Sequence, residues 1–361
     1  MSYVLAFLGF AVLIILHEAG HFVAAKAVGM RVERFSLFFG PLVLKRRRGE
    51  TEYGIGVIPL GGYVKITGMN PNEELPSEVR PRAYYNQPVW KRVVTILAGP
   101  AVNIAIAFLI VWGLLLSSGE TTYTPTTKVA AVQSGTPAAA VVRNGDKVVS
   151  VDGVSGTETK IRRQIDTHRC AGQQVNGCAA TTPAKIVVRR DGALVTLSVA
   201  PRYSATEKRM LVGVEFGSTS HTTYPGVIPA ASDSVSKLWA VTTRTVSTIA
   251  RIFEPQERKQ LNGIVGGYTV TQESFASSTT QALEVLALIS LSLGVINLFP
   301  FLPLDGGHVF WAVAEKVRGR RIPFSVMERA GVIGVALIVL LFVIGLSNDI
   351  STLSGKGFGV H

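Results

Sequence analysis

Two histidines lie four residues apart in "ILHEAGHFVAA", His17 and His21, with Glu18 directly after the first. On a helix, residues i and i+4 share one face with Cβ atoms roughly 5–6 Å apart, so both imidazoles can reach one metal ion. Two imidazoles on a rigid element suit Zn²⁺. Glu18 follows the first ligand and turns its carboxylate toward the coordination position left open. There the ion lowers the pKa of a water and the carboxylate can take its proton. HExxH on a helix is the pattern of a metalloprotease. The plainer alternative is a polar helix face, or two core histidines bonded to their neighbours. The surroundings weaken it, because ionisable side chains within a membrane span cost about 2.5–3.5 kcal/mol each and mark function.

A catalytic zinc takes three protein ligands and keeps a position open. The third must come from elsewhere, and "NLFPFLPLDGGHVF" offers Asp305 and, three residues on, His308. Asp305 follows an apolar segment broken by Pro300 and Pro303, and Gly306 and Gly307 let the backbone come close to a metal. An Asp here could equally cap a helix. Two amides complete the polar set: Asn103 in "AGPAVN" and Asn297 in "GVINLFP". Side-chain amides donate and accept hydrogen bonds, so both suit an exposed peptide backbone or an oxyanion in a dry site. Their alternative role is interhelical polar glue.

The elements that must position these groups are membrane spans. Of 361 residues, 47% are hydrophobic and only 17% charged, below the usual quarter of soluble domains. A span needs roughly 20 apolar residues, and four stretches qualify: Tyr3 to Gly29, Val93 to Leu116, Leu283 to Leu304 and Ala330 to Leu346. The first lacks a basic leader and an A-x-A cleavage site, so it reads as retained. The net charge of +12 does not indicate nucleic acid, because much of the basic excess flanks apolar runs. Lys45 to Arg48, Lys91 and Arg92, and "EKVRGRR" with Lys316, Arg318, Arg320 and Arg321 place those segments in the cytoplasm. Both termini and the region from Glu120 to Gln281 then lie outside.

Between the first two spans, "VERFSLFFGPLVLKRRRGETEYGIGVIPLGGYVKITG" reads as short strands and hairpins, with "GVIPLGGYVKI" apolar enough to enter the bilayer edge. Non-helical backbone at that depth implies a cavity or a protein cover. Beyond the second span, "KVAAV", "KVVSVDG", "AKIVVRRDG" and "LVTLSVAP" alternate like strands around "GTPAAAVVRNGD". That order resembles a circularly permuted PDZ domain, with Gly135, Pro137, Ala138, Gly145, Asp146, Asp152 and Gly153 at matching places and Val142 or Arg143 where a glycine is usual. The loop holding Cys170 and Cys178 reads as an insertion. The two thiols make no CxxC and are either a small disulfide or free. Ser232 to Phe253 reads as an amphipathic helix along the outer membrane surface. "NGIVGGYTVT" (Asn262 to Thr271) reads as a re-entrant turn or a solvated linker.

Together, "HEAGH" at 17–21, "PLGGYVKITGM" at 59–69, "AGPAVN" at 98–103, the PDZ-like unit and "NLFPFLPLDGGH" at 297–308 resemble the site-2 protease family of intramembrane zinc metalloproteases. More narrowly, they resemble its bacterial PDZ-containing branch, the regulator-of-sigma-E protease type. The resemblance implies Zn²⁺ held by His17, His21 and Asp305, Glu18 as general base, and His308 outside the ligand set. It implies that the hairpins guide an extended substrate, with Gly61, Gly62, Pro300, Asn103 and Asn297 as substrate contacts. It also implies a bacterial inner membrane, and substrates that are single-span proteins such as anti-sigma factors or signal-peptide remnants.

The expected fold is a polytopic α-helical membrane protein of about four spans, with a membrane-associated β-hairpin region and an extracytoplasmic α+β PDZ domain. The expected divisions are 1–30 (first span), 31–92 (cytoplasmic-side hairpins), 93–119 (second span) and 120–203 (PDZ-like). They continue with 204–281 (linker with amphipathic helix), 282–311 (third span with the LDGG motif), 312–329 (cytoplasmic loop) and 330–361 (fourth span and tail). The PDZ unit would block bulky substrates or grip a new C-terminus. A catalytically inactive PDZ-bearing scaffold is the alternative, opposed by the presence of all three ligands and the base. A metal transporter would need an acidic or histidine ladder across several spans, and a soluble-type zincin would need HExxH outside the apolar run.

Overall fold

A computed structural model describes residues 2–70, 72–251, 254 and 263–353. Among them, four helices are long and apolar enough to cross a membrane: α1 (Ser2–Ala27), α2 (Val89–Ser117), α6 (Thr279–Asn297) and α8 (Phe324–Leu353). In lipid the backbone must satisfy its own hydrogen bonds, so uninterrupted apolar runs become helices. The chain forms two compact units: Gly119–Tyr224, and the remainder up to Ser118 and from Pro225.

In the helical unit, α1 crosses α2 at a point of small residues. A Cβ on Gly20 would lie 2.6 Å from the Ala98 carbonyl oxygen, so only glycine permits the approach. Against α1 stand β1 (Val32–Arg48) and β2 (Thr51–Ile66), paired antiparallel. These are two long strands where short ones were expected, and they curl. Phe35 has both Val64 and Tyr53 as partners, and Ser36 has both Tyr63 and Gly54. The turn between them is pinned by Glu50, which accepts from Arg82 Nη1 and Nη2 at 2.8 Å each.

The third expected span, 282–311, is not one helix. α6 ends at Asn297 and α7 (Asp305–Arg318) begins after a non-helical stretch. Pro300 and Pro303 cannot donate to a continuing helix, and backbone fills the space where Gly306 would carry a Cβ, namely the Leu298 and Phe299 carbonyls. The expected cytoplasmic loop therefore shrinks. α7 runs to Arg318, Gly319 closes it at φ 72°, and α8 starts at Phe324.

One further expectation is corrected. α4 (Val227–Ala250) is a helix over the expected stretch, with Phe253 outside the described residues, and one of its faces packs on other helices. Its face at Ala230, Ser234, Leu238 and Val241 is spaced i, i+4, i+8, i+11 and turns inward. Leu238 and Val241 pack on the core formed by Ala107, Leu291 and Val295, and Trp112 Nε1 donates to the Val227 carbonyl at 3.1 Å. "NGIVGGYTVT" is no turn or linker: apart from Asn262, outside the described residues, it enters α5 (Ile264–Ser277). The buried Asp349 carboxylate caps it, accepting from the Gly263 and Gly266 N–H groups at 2.8 and 2.9 Å.

The other unit contains β3 (Glu120–Val132), β4 (Lys147–Val151), β5 (Val154–Ser155), α3 (Glu158–Asp166), β6 (Ala184–Arg190), β7 (Ala193–Val199), β8 (Arg202–Ser204), β9 (Arg209–Leu211) and β10 (Val214–Thr223). Its main sheet has the order β10-β3-β4-β6-β7. The expected boundary at 203 falls too early, because β10 pairs along β3 from Val214–Val132 to Thr223–Glu120. Cys170 and Cys178 form a disulfide.

Asp146, 2% exposed, takes a two-pronged bond from Arg190, Nη2 at 2.7 Å and Nε at 2.9 Å, plus the Arg143 N–H at 2.8 Å. Arg190 beside it holds the Asp146 carboxyl below the usual carboxylate range. A depressed carboxylate contributes stability that is complete above its unfolded value and is lost as pH falls through its folded one. Asp146→Asn should therefore destabilise this unit at neutral pH and flatten its acid sensitivity. Thermal unfolding of the full chain in detergent, at several pH values, checks both.

Candidate metal centre

His17 and His21 lie one turn apart on α1, both 6% exposed, because the helix turns this face toward α2 and α7. Their Nε2 atoms are 3.3 Å apart. Asp305, the first residue of α7, puts Oδ2 3.2 Å from His17 Nε2 and 3.3 Å from His21 Nε2. Three lone-pair donors thus form a nearly equilateral triangle. Metal–ligand bonds of about 2.0–2.1 Å in a tetrahedral site give ligand–ligand edges of about 3.3–3.4 Å, so the triangle fits zinc. Among the described residues it is the only group of three or more His, Cys, Asp or Glu side chains with such convergence. His308, on the same helix as Asp305, is not part of it.

The tautomer of His21 follows from its other nitrogen. Nδ1 lies 2.9 Å from the Thr95 carbonyl oxygen, which only accepts, so Nδ1 carries the proton and Nε2 presents its lone pair to the triangle. Gly99, one turn beyond Thr95 on α2, makes room for this ring, since a Cβ there would overlap His21 Nε2 and Cε1. Neither Thr95 nor Gly99 stood out in the sequence. The only signal was that Gly99 belongs to "AGPAVN". Gly99→Ala should push the imidazole aside and weaken zinc binding by about 10–100-fold; chelator competition on the purified protein measures it.

Glu18 leaves the triangle on the side of β2. A Cβ on Gly62 would meet Glu18 Cγ at 3.1 Å, Ile14 Cγ2 at 3.2 Å and the Ser36 carbonyl at 3.0 Å. The strand thus rests on the Glu18 stem, and glycine is what fits. Gly61 beside it adopts φ 80°. Residues 62–65 pair only with β1, through Leu37–Gly62 to Arg34–Lys65, which leaves the other edge without a strand partner among the described residues.

Asn103 is fully buried on α2, and neither its Oδ1 nor its Nδ2 has a hydrogen-bond partner among the described residues. Its carbonyl accepts from Ser290 Oγ at 2.9 Å, which fixes the backbone and leaves the amide free. Asn297 is half-buried at the end of α6, and Pro300 is exposed in the break that follows. Among the described residues, no hydrogen bond or ion pair joins Asn103, Asn297 or Pro300 to the triangle.

A His–His–carboxylate triangle with an adjoining glutamate, enclosed by apolar helices, defines a membrane-embedded candidate hydrolase centre. The profile of Peptidase family M50 matches residues 5–341. A zinc metalloprotease of Mycobacterium tuberculosis, Rip1, is 33% identical over 87% of this chain and 86% of its own. A Brucella suis protein, provisionally named a zinc metalloprotease, is 32% identical over 94% of this chain and 92% of its own. One from Clostridium acetobutylicum, similarly named, is 29% identical over 96% of both. The chain belongs to peptidase family M50, the site-2 protease family, and with its four apolar helices is an integral membrane protein.

Proposed function

We propose that this M50 peptidase is a zinc-dependent intramembrane endopeptidase whose ion is held by His17, His21 and Asp305. The triangle of Nε2, Nε2 and Oδ2 atoms with 3.2–3.3 Å sides carries this reading. The names of the relatives as zinc metalloproteases support the ion. When bound, zinc supplies Lewis acidity, polarising a scissile carbonyl and acidifying water.

The chain's own groups then have distinct tasks. Glu18 takes the proton from the attacking water and returns it to the leaving amine. The edge of residues 62–65 that lacks a strand partner, and whose Val64 backbone meets Glu18, pairs with a substrate backbone in extended form, a strand addition that holds the peptide beside the base. This matters because the amides of a helix are already bonded and must be freed before hydrolysis. The unpartnered Asn103 amide offers a donor and an acceptor to such freed groups, and Asn297 and Pro300 lie at the break between α6 and α7. α1, α2 and α7 enclose the site and keep bulk water from competing.

The unit 119–224 reads as a PDZ domain. β10 is an edge strand, and a cavity of about 330 Å³ lined by Arg162, Ile165, Met210, Val212 and Phe216 runs beside it. The Cys170–Cys178 disulfide supports an oxidising, extracytoplasmic location. Lys45 to Arg48 and the basic residues after α7 support cytoplasmic placement for the hairpin turn and the α7–α8 connection. The substrates fitting this arrangement are single-span proteins trimmed outside, such as anti-sigma factors or signal-peptide remnants.

Purified protein in detergent, given a single-span substrate, should cut within its apolar stretch. Mass spectrometry of the fragments locates the bond. Cleavage confined to the polar flanks would contradict an intramembrane site.

A further inference from the structure

α7 carries Asp305 on its first residue, immediately after the break at residues 298–304, where a single turn closes from the Leu304 N–H to the Phe301 carbonyl at 2.8 Å. The position of this carboxylate therefore depends on what fixes the rest of the helix. Asp305, His308, Ala312 and Glu315 fall at i, i+3, i+7 and i+10 and share one face. On α2, Arg92, Thr95 and Gly99 fall at i, i+3 and i+7. Thr95 orients His21 and Gly99 makes room for its ring, so the face of α2 that shapes one ligand also carries Arg92.

Arg92 Nη1 lies 2.7 Å from Glu315 Oε2, with the two side chains 12% and 13% exposed. The guanidinium sits 5.9 Å from the ring centroid of Tyr84, a buried residue packed with Met30, Val32, Ile66 and Ile96. The other oxygen of Glu315 accepts from the Ile322 N–H at 3.3 Å, at the connection to α8. One ion pair therefore ties together α2, α7, the strand layer and the α7–α8 connection. Arg92 Nε finds no hydrogen-bond partner among the described residues. Desolvation offsets much of the attraction in an enclosed pair, so its principal contribution is a fixed register and not net stability. Glu315 is ten residues from Asp305, a rigid lever of about 15 Å.

We propose that the Arg92–Glu315 pair is a positioning device for the metal centre, holding α7 on α2 so that the Asp305 carboxylate meets His17 and His21. This rests on the reading of those three residues as zinc ligands. Neither Arg92 nor Glu315 touches the triangle, so the effect should appear in metal affinity and ligand geometry.

The test uses the full chain in detergent, with zinc affinity read by chelator competition and the visible spectrum of the Co²⁺-substituted protein. Glu315→Gln keeps the shape of the side chain, removes the charge and leaves one acceptor oxygen where the carboxylate has two, so one of the two hydrogen bonds is lost. It should weaken zinc binding about tenfold and shift the cobalt bands, with little change in melting temperature. The double variant Arg92→Glu/Glu315→Arg should recover most of the affinity. If Glu315→Gln does not fold, Arg92→Lys, which keeps the charge and loses the fork, carries the same expectation. Wild-type affinity with an unaltered cobalt spectrum overturns the proposal. So does a loss of affinity that only tracks a loss of thermal stability, or a folded double variant without recovery. Asp305→Ala, run alongside, separates the two readings: if that variant keeps its zinc, the ligand assignment fails, and if it loses zinc while Glu315→Gln does not, only the positioning role fails.

Discussion

Glu18→Gln should leave zinc bound and lower peptide-bond hydrolysis by roughly 10³-fold, within the range that a positioned proton-transfer group contributes. The amide has nearly the same shape as the carboxylate, so its stem still rests against the Gly62 backbone and α1 keeps its packing. What is lost is the ability to take a proton. Wild type and variant, compared for zinc content by atomic spectrometry and for single-turnover cleavage of a single-span substrate, report the two properties separately. Zinc in both and cleavage in the wild type alone is the expected outcome. Undiminished cleavage by the variant would remove Glu18 from the reaction and shift attention to the remaining acidic group of the site, Asp305.

Asp305→Ala should have the second largest effect, and of a different kind. Two imidazoles on α1 remain, but the triangle loses its only anionic corner. Zinc affinity should fall by more than the 10–100-fold typical of residues that merely support a ligand, and activity should fall with it. Because Asp305 begins α7, some of the loss could come from a destabilised helix end, where a negative charge is favourable. Asp305→Asn separates the contributions: it keeps a polar group at the helix start while removing the charge at the metal. Asp305→Asn should melt close to wild type and still lose zinc. His308→Ala should retain the metal. The opposite pair of results, zinc lost with His308→Ala and kept with Asp305→Ala, would exchange the roles of these two residues.

The parts of this centre that were legible in the sequence are those fixed by local chemistry. HExxH on an apolar run names two of the triangle's corners and the neighbouring glutamate, because helical periodicity sets their relation over four residues. Asp305 was legible through its surroundings, since prolines and glycines beside a carboxylate mark a break in a span. Its distance from the histidines was not, being set by how α7 docks on α2. The same holds for Thr95 and Gly99, whose roles exist only once α2 crosses α1. A backbone carbonyl has no side-chain signature, and a glycine in a membrane helix has many possible reasons.

The fold followed a similar division. Spans are written in composition, and all four stretches contain helices, although the third breaks into α6 and α7. α4 was read as amphipathic, but periodicity alone does not tell whether the second face meets headgroups or other helices. Its Ala230 and Ser234 permit the close packing that one face makes on the other helices. The boundary at 203 failed because β10 returns to pair with β3 across more than eighty residues, a non-local register that strand-like alternation does not encode. The curl of β1 and β2, which lets Phe35 pair on both sides, is likewise set by bends within each strand.

The proposed zinc ligand set is two imidazoles and one carboxylate. Zinc K-edge X-ray absorption on the purified wild-type protein tests it most directly. The expected signal is nitrogen and oxygen alone bound to the ion, at about 2.0–2.1 Å, with the longer-range scattering of two imidazoles, reduced to one in His21→Ala. A sulfur scatterer, or a two-imidazole signal that persists in His21→Ala, would contradict it.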